Sequence, residues 1–102
     1  MYIIIDDVRD LNCDIICRTG KAGIAVLEAM QGQFDVLCID HDLGDADEMN
    51  GYDVIKYAID CKLLPDEVQI VSSNPVGIQN IANALKSAGF VSDLSGRIFK
   101  RM

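Results

Sequence analysis

An α/β fold built on a mainly parallel sheet is what this sequence predicts, and three observations carry the prediction. Short apolar runs recur along the chain, Tyr2 to Ile5, Val36 to Ile39 and Val68 to Val71, and the first two read as continuous rather than alternating. That is the pattern of strands covered on both faces. Segments of helical period lie between the runs, and strands alternating with helices imply right-handed crossovers with helices on both sides of the sheet. Each run also stops at a polar cluster: Asp6-Asp7, Asp40-His41-Asp42 and Ser72-Ser73-Asn74.

The elements follow in order. Tyr2 to Ile5 is a β-rich first strand, and Asp14 to Cys17, leading into Arg18-Thr19-Gly20, is a second. The connection between them is so short that a helix there could be a turn or two at most. Ala22 to Met30 follows a Thr19 cap as the next helix, Val36 to Ile39 is the central strand, and Tyr52 to Ile59 is a helix entered through Asn50-Gly51. The clearest helix runs from Pro75 to Ala88. Ile78, Ile81, Ala82 and Leu85 share one face, proline stands at the first helical position, and Gly89 is the stop signal. Beyond it Phe90-Val91 and Ile98-Phe99 allow a short last strand but no full closing helix.

The chain has 102 residues, half of them apolar. A chain of this length buries roughly 60–65% of its unfolded surface, so residues 1–102 are expected to form one domain around one core. The 16 acidic side chains outnumber the 9 basic ones, for a formal charge of −7. That field opposes nucleic-acid backbones and anionic membranes. No run approaches the ~20 apolar residues of a membrane helix, and Asp6-Asp7 interrupts any leader, so a cytoplasmic protein is expected. The four cysteines lack zinc-ribbon spacing and the single histidine is His41, so the thiols are read as core fillers.

In a parallel sheet, ligands bind beyond the carboxyl ends of the strands, where all the polar clusters fall. Asp6, Asp7 and Asp40 gathered there would repel, by up to ~4 kcal/mol per pair at ~4 Å and an effective dielectric of 20. A hard cation, Mg²⁺ or Mn²⁺, held by these three carboxylates is the expected compensation; the plainer reading pairs Asp6-Asp7 with Arg9. Ser72, Ser73, Asn74 and the helix N-terminus they open would suit phosphate, with Arg18 and Thr19 as a second clamp. One of Ser73 and Asn74 is also the helix cap. Asp40, His41 and Asp42 are the candidates for chemistry, His41 or Asp42 orienting water or moving a proton. Asp45, Asp47 and Glu48 are read as a solvated loop.

An acidic pair after the first strand, an aspartate ending the central one and a small hydroxyl residue ending the next resemble the receiver domain of two-component signalling. That resemblance implies a single compact flavodoxin-like domain with strands in the order 2-1-3-4 and a fifth at the edge, the first crossover helix shortened and the closing helix absent. It implies Mg²⁺ at Asp6 and Asp7, phosphate acceptance by Asp40 and a phosphoryl contact from Ser72 or Ser73. Receivers end their fifth strand in lysine, whereas the matching stretch is Phe90-Val91-Ser92-Asp93, with only the distant Lys100.

A closer resemblance is to the cyclic-phosphate processing receiver domain. It rests on Ile5-Asp6-Asp7-Val8-Arg9, Arg18-Thr19, Ile39-Asp40-His41-Asp42-Leu43-Gly44, Gly51-Tyr52-Asp53-Val54 and Ser72-Ser73-Asn74-Pro75-Val76-Gly77. Where that family has histidine before the serine, this chain has Val71, which leaves His41 as the only imidazole. The resemblance implies a Mg²⁺-dependent site that binds or processes a small phosphoester. Two alternatives stand beside it: a noncatalytic module that engages a protein partner through Leu94 to Met102, and a phosphoacceptor at Asp40.

Overall fold

The computed structural model describes residues 1–43 and 49–102, so Asp45, Asp47 and Glu48 lie outside the described residues. The elements run β1 (Tyr2–Ile5), β2 (Ile15–Cys17), α1 (Gly20–Ala29), β3 (Val36–Ile39), α2 (Gly51–Asp60), β4 (Glu67–Ile70), α3 (Pro75–Ser87), β5 (Phe90–Ser92) and β6 (Ile98–Arg101). They form one sheet in the order β2-β1-β3-β4-β6-β5. The first four strands are parallel in the expected order 2-1-3-4, and β6 is antiparallel to both β4 and β5.

The last part of the sheet corrects the single edge strand read from the sequence. β5 and β6 form a hairpin, and β6 inserts beside β4 with Val68 opposite Phe99, leaving β5 outermost. Asp93 to Gly96 make the turn: Ser95 N–H donates to Asp93 Oδ1 at 3.0 Å, and Gly96 takes φ +73°, a backbone that glycine adopts without strain. Because β6 runs downward beside an upward β4, its first residues stand at the carboxyl-end rim. Ile70 N–H donates to the Arg97 carbonyl at 2.8 Å there.

The helices also depart from the two-sided arrangement. Ile3, Ile5, Leu37, Ile39, Val68, Ile70 and Phe99 point to one face, where they pack with Leu27 of α1, Val54 and Ile55 of α2, and Ile81 and Leu85 of α3. The opposite face has its own small cluster of Ile4, Val36 and Cys38, against which the partly buried hydrophobic residues Cys13 and Val71 pack. Handedness explains this. The connections from β2 to β3 and from β3 to β4 cross the sheet in one direction, so right-handed crossovers put α1 and α2 on one face. The connection from β1 to β2 goes the other way, and it contains turns and no helix, with Leu11 and Asn12 at positive φ. β4 shows the consequence, burying Val68 and Ile70 while Glu67 and Gln69 stay half-buried on the thinly covered face. No helix among the described residues is long and apolar enough to cross a membrane.

Candidate functional site

The site is built where β1 and β3 end side by side. Register pairs Ile5 with Ile39, so the next residues, Asp6 and Asp40, leave the sheet together. Both are buried, Asp6 at 0% and Asp40 at 5% exposure, and Asp7 joins them from a less buried position. One carboxylate oxygen from each of Asp6, Asp7 and Asp40 lies within 4.8 Å of the others.

The two buried acids are supported differently. Burial pushes Asp6 up, but the N–H groups of Val8 and Arg9, at 2.9 and 3.1 Å, and the Arg9 guanidinium outweigh it and hold the carboxyl below its ordinary value. Burial likewise pushes Asp40 up, and there it prevails: the Ser72 hydroxyl, the Asp42 N–H at 3.4 Å and Arg9 only partly offset it, with Asp6 adding repulsion. Arg9 Nη1 lies 2.9 Å from Asp6 Oδ2 and 3.4 Å from Asp40 Oδ2. The sequence allowed Arg9 as a partner for the acidic pair, and the structure places its guanidinium between Asp6 and Asp40.

His41 and Asp42 sit on the other side of Asp40. His41 Nδ1 lies 3.0 Å from Asp42 Oδ1; a carboxylate can only accept, so the proton is on Nδ1 and Nε2 is the nitrogen left for a ligand or a second proton. The His41 hydrogen bond, with help from the Asn74 amide, holds the Asp42 carboxyl below its ordinary range. Two glycines make room for this turn. Gly51, at the start of α2, lies against the Asp40 and His41 backbone and donates its N–H to the His41 carbonyl at 2.8 Å; Gly77, in the first turn of α3, lies against the His41 ring.

The residues read as phosphate ligands come to the same rim with other partners. Thr19 caps α1 by accepting from Ala22 N–H at 3.1 Å. Arg18 Nη1 donates to the carbonyls of Asp6 and Arg9, at 3.3 and 2.8 Å, bracing the connection after β1. Ser72 is buried; its hydroxyl hydrogen-bonds Asp40 and accepts from Asn74 N–H at 3.1 Å. Ser73 is exposed. Asn74 caps α3 through Gly77 N–H at 3.1 Å, and its carbonyl takes Ile78 N–H at 2.9 Å. Pro75 has no N–H and the Gly77 N–H is taken by Asn74, so the terminus of α3 offers an anion fewer donors than an uncapped helix start.

Sequence reasoning missed Arg97. Its Nη1 donates to the Ser72 carbonyl at 2.8 Å, which sets a guanidinium on the backbone of the same residue whose hydroxyl hydrogen-bonds Asp40. The signal was present: Asp93 to Gly96 between two apolar pairs is a hairpin turn, and a hairpin brings the start of its second strand back to the rim. Lys100 lies three residues further down β6, near Glu67.

The family pattern that matches this chain is the cyclic-phosphate processing Receiver domain, over residues 1–87. The match ends with α3, so Arg97 and the β5–β6 hairpin lie beyond it. Neither a curated protein nor a solved structure matches the chain. With all of the acidic cluster, the His41 turn and the Asn74 cap inside the matched residues, the chain belongs to the cyclic-phosphate processing receiver domain family.

Proposed function

We propose that the rim at Asp6, Asp7 and Asp40 is a divalent-cation-dependent phosphate site that binds or processes a small phosphoester, cyclic ones included. The observation that carries this is the convergence of three carboxylates, two of them buried, beside Ser72 and Asn74. All-oxygen donors suit Mg²⁺ or Mn²⁺, and such an ion would polarise a phosphoryl oxygen when bound. Arg97 and the Ser73-Asn74 turn would take the remaining phosphate charge, with Arg18 bracing the acidic turn from behind. His41 Nε2 is the group able to take or give a proton, and Asp42 positions the ring through Nδ1.

Thermal melting tests the reading. Mg²⁺ or Mn²⁺ at 100 times its dissociation constant should stabilise the fold by about 2.7 kcal/mol. Asp40→Asn should remove that response, and should leave the ion-free protein more stable, because ionised Asp40 stands against its burial. A ³¹P spectrum of a cyclic phosphodiester with protein and Mg²⁺ then separates processing, which opens the ring, from binding, which shifts the signal. Absence of any ion response in a folded protein defeats the proposal and favours the interaction module.

A second reading is supported by Arg97, a cation at the rim where the fifth-strand stretch offers none. With it, an acyl phosphate on Asp40 would have a counter-charge. A phosphoryl mass gain from a small phosphodonor, lost in Asp40→Asn, would favour this reading.

A further inference from the structure

The position of Arg9 has a consequence for any cation at this site. Its Nη1 contacts Asp6 Oδ2 at 2.9 Å and Asp40 Oδ2 at 3.4 Å, and the same two carboxylates converge with Asp7. An octahedral Mg²⁺ holds oxygens at about 2.1 Å, so opposite ligands stand about 4.2 Å apart. Carboxylates with oxygens within 4.8 Å of one another can close to that span around one small cation, and a guanidinium nitrogen already contacts two of these three carboxylates. The two cations exclude each other by space as well as by charge.

The rest of the residue is arranged so that its side chain can leave alone. Arg9 N–H donates to Asp6 Oδ1 at 3.1 Å, and the Arg9 carbonyl accepts from Arg18 Nη1 at 2.8 Å, which pins the backbone at both ends of the residue. The side chain is 34% exposed, so it can rotate into water at the rim without displacing any core group. We infer that Arg9 is a built-in competitor of the divalent ion: its guanidinium neutralises the buried carboxylates in the ion-free protein and is exchanged outward when an ion binds. The inference rests on the proposed cation site, and it makes Arg9 the residue that sets ion affinity without being a ligand.

Isothermal titration of Mn²⁺ into the wild type, Arg9→Gln and Arg9→Lys tests it. Arg9→Gln should bind Mn²⁺ about tenfold or more tightly than the wild type, with a lower melting temperature before ion is added. Arg9→Lys keeps a competing charge and should gain less. Equal or weaker binding by a folded Arg9→Gln overturns the inference while leaving the cation site standing. Mn²⁺ binding by none of the three defeats the site itself. Should Arg9→Gln not fold, the wild type decides: the Arg9 guanidinium protons should exchange slowly without ion and rapidly at saturating Mg²⁺. Guanidinium protons that stay protected in the ion-bound protein overturn the exchange.

Discussion

The His41 ring lies directly against the Gly77 backbone: a Cβ built on Gly77 would stand 2.6 Å from His41 Cβ and 2.8 Å from its Cδ2. His41 thus keeps its place because the first turn of α3 carries no side chain there. Gly77→Ala should destabilise the protein by about 1–3 kcal/mol, as overpacking in a filled interior does. It should also rotate the imidazole away from Asp42. Comparing the His41 ring-nitrogen shifts of the two proteins checks this, and an unchanged Nδ1 signal would mean that α3 moves instead.

Arg97 gives a prediction with the opposite profile. Its side chain is exposed and its hydrogen bond is to the Ser72 carbonyl, so Arg97→Ala should cost about 1 kcal/mol of stability or less. Affinity for a phosphoester in the presence of Mg²⁺ should fall about tenfold, the loss of one charge-assisted hydrogen bond, while Mg²⁺ binding alone stays unchanged. Parallel loss of ion binding would show that Arg97 holds the rim together rather than meeting the phosphate.

The turn that delivers Arg97 has its own pH dependence. The Ser95 hydroxyl, reinforced by backbone N–H groups, holds the Asp93 carboxyl below its ordinary value of 3.8. With the folded value depressed, the unfolded chain binds more protons, so the turn's stabilisation is complete above 3.8 and is lost as pH falls through the folded value. A carboxyl-carbon NMR titration should place the Asp93 midpoint below 3.8 and return it upward in Ser95→Ala. A midpoint at the ordinary value in the wild type would contradict the hydrogen-bonded turn.

The cysteines should separate by reactivity. Burial pushes the Cys38 thiol up to about 12 and raises Cys17 as well, whereas Cys61 is exposed. Iodoacetamide at about pH 8 should label Cys61 first and should reach Cys17 and Cys38 only on unfolding, as peptide mass mapping will show. Early labelling at Cys38 would mean that the connection between β1 and β2, which shields it through Cys13, opens in the native protein.

Two features of the sheet follow from the sequence pattern together with the strand order. The order 2-1-3-4 together with a first connection that allows a helix of a turn or two at most favours helices on one face, since right-handed crossovers in one direction share a side. The strand Glu67-Val68-Gln69-Ile70 alternates, the mark of a half-covered sheet. Only the second of these is written in neighbouring residues; the first depends on strand order, a long-range property.

By itself the sequence determined that Asp6, Asp7, Asp40 and Ser72 share a rim, because parallel strands bring their carboxyl ends together whatever their side chains do. It also placed a cap at Thr19 and another at Ser73 or Asn74, since caps act within a few residues of themselves; the structure gives the α3 cap to Asn74 and adds Asn50 at α2. Only the tertiary structure decided that Arg9 lies between two buried carboxylates, that Arg18 turns to backbone carbonyls, and that Arg97 reaches the rim. Those positions depend on how an irregular connection folds over the sheet and on which strand takes the free edge of β4. The first is settled by distant contacts, for which spacing along a chain holds no record; for the second, the turn residues mark a hairpin but not that β6 rather than β5 pairs with β4.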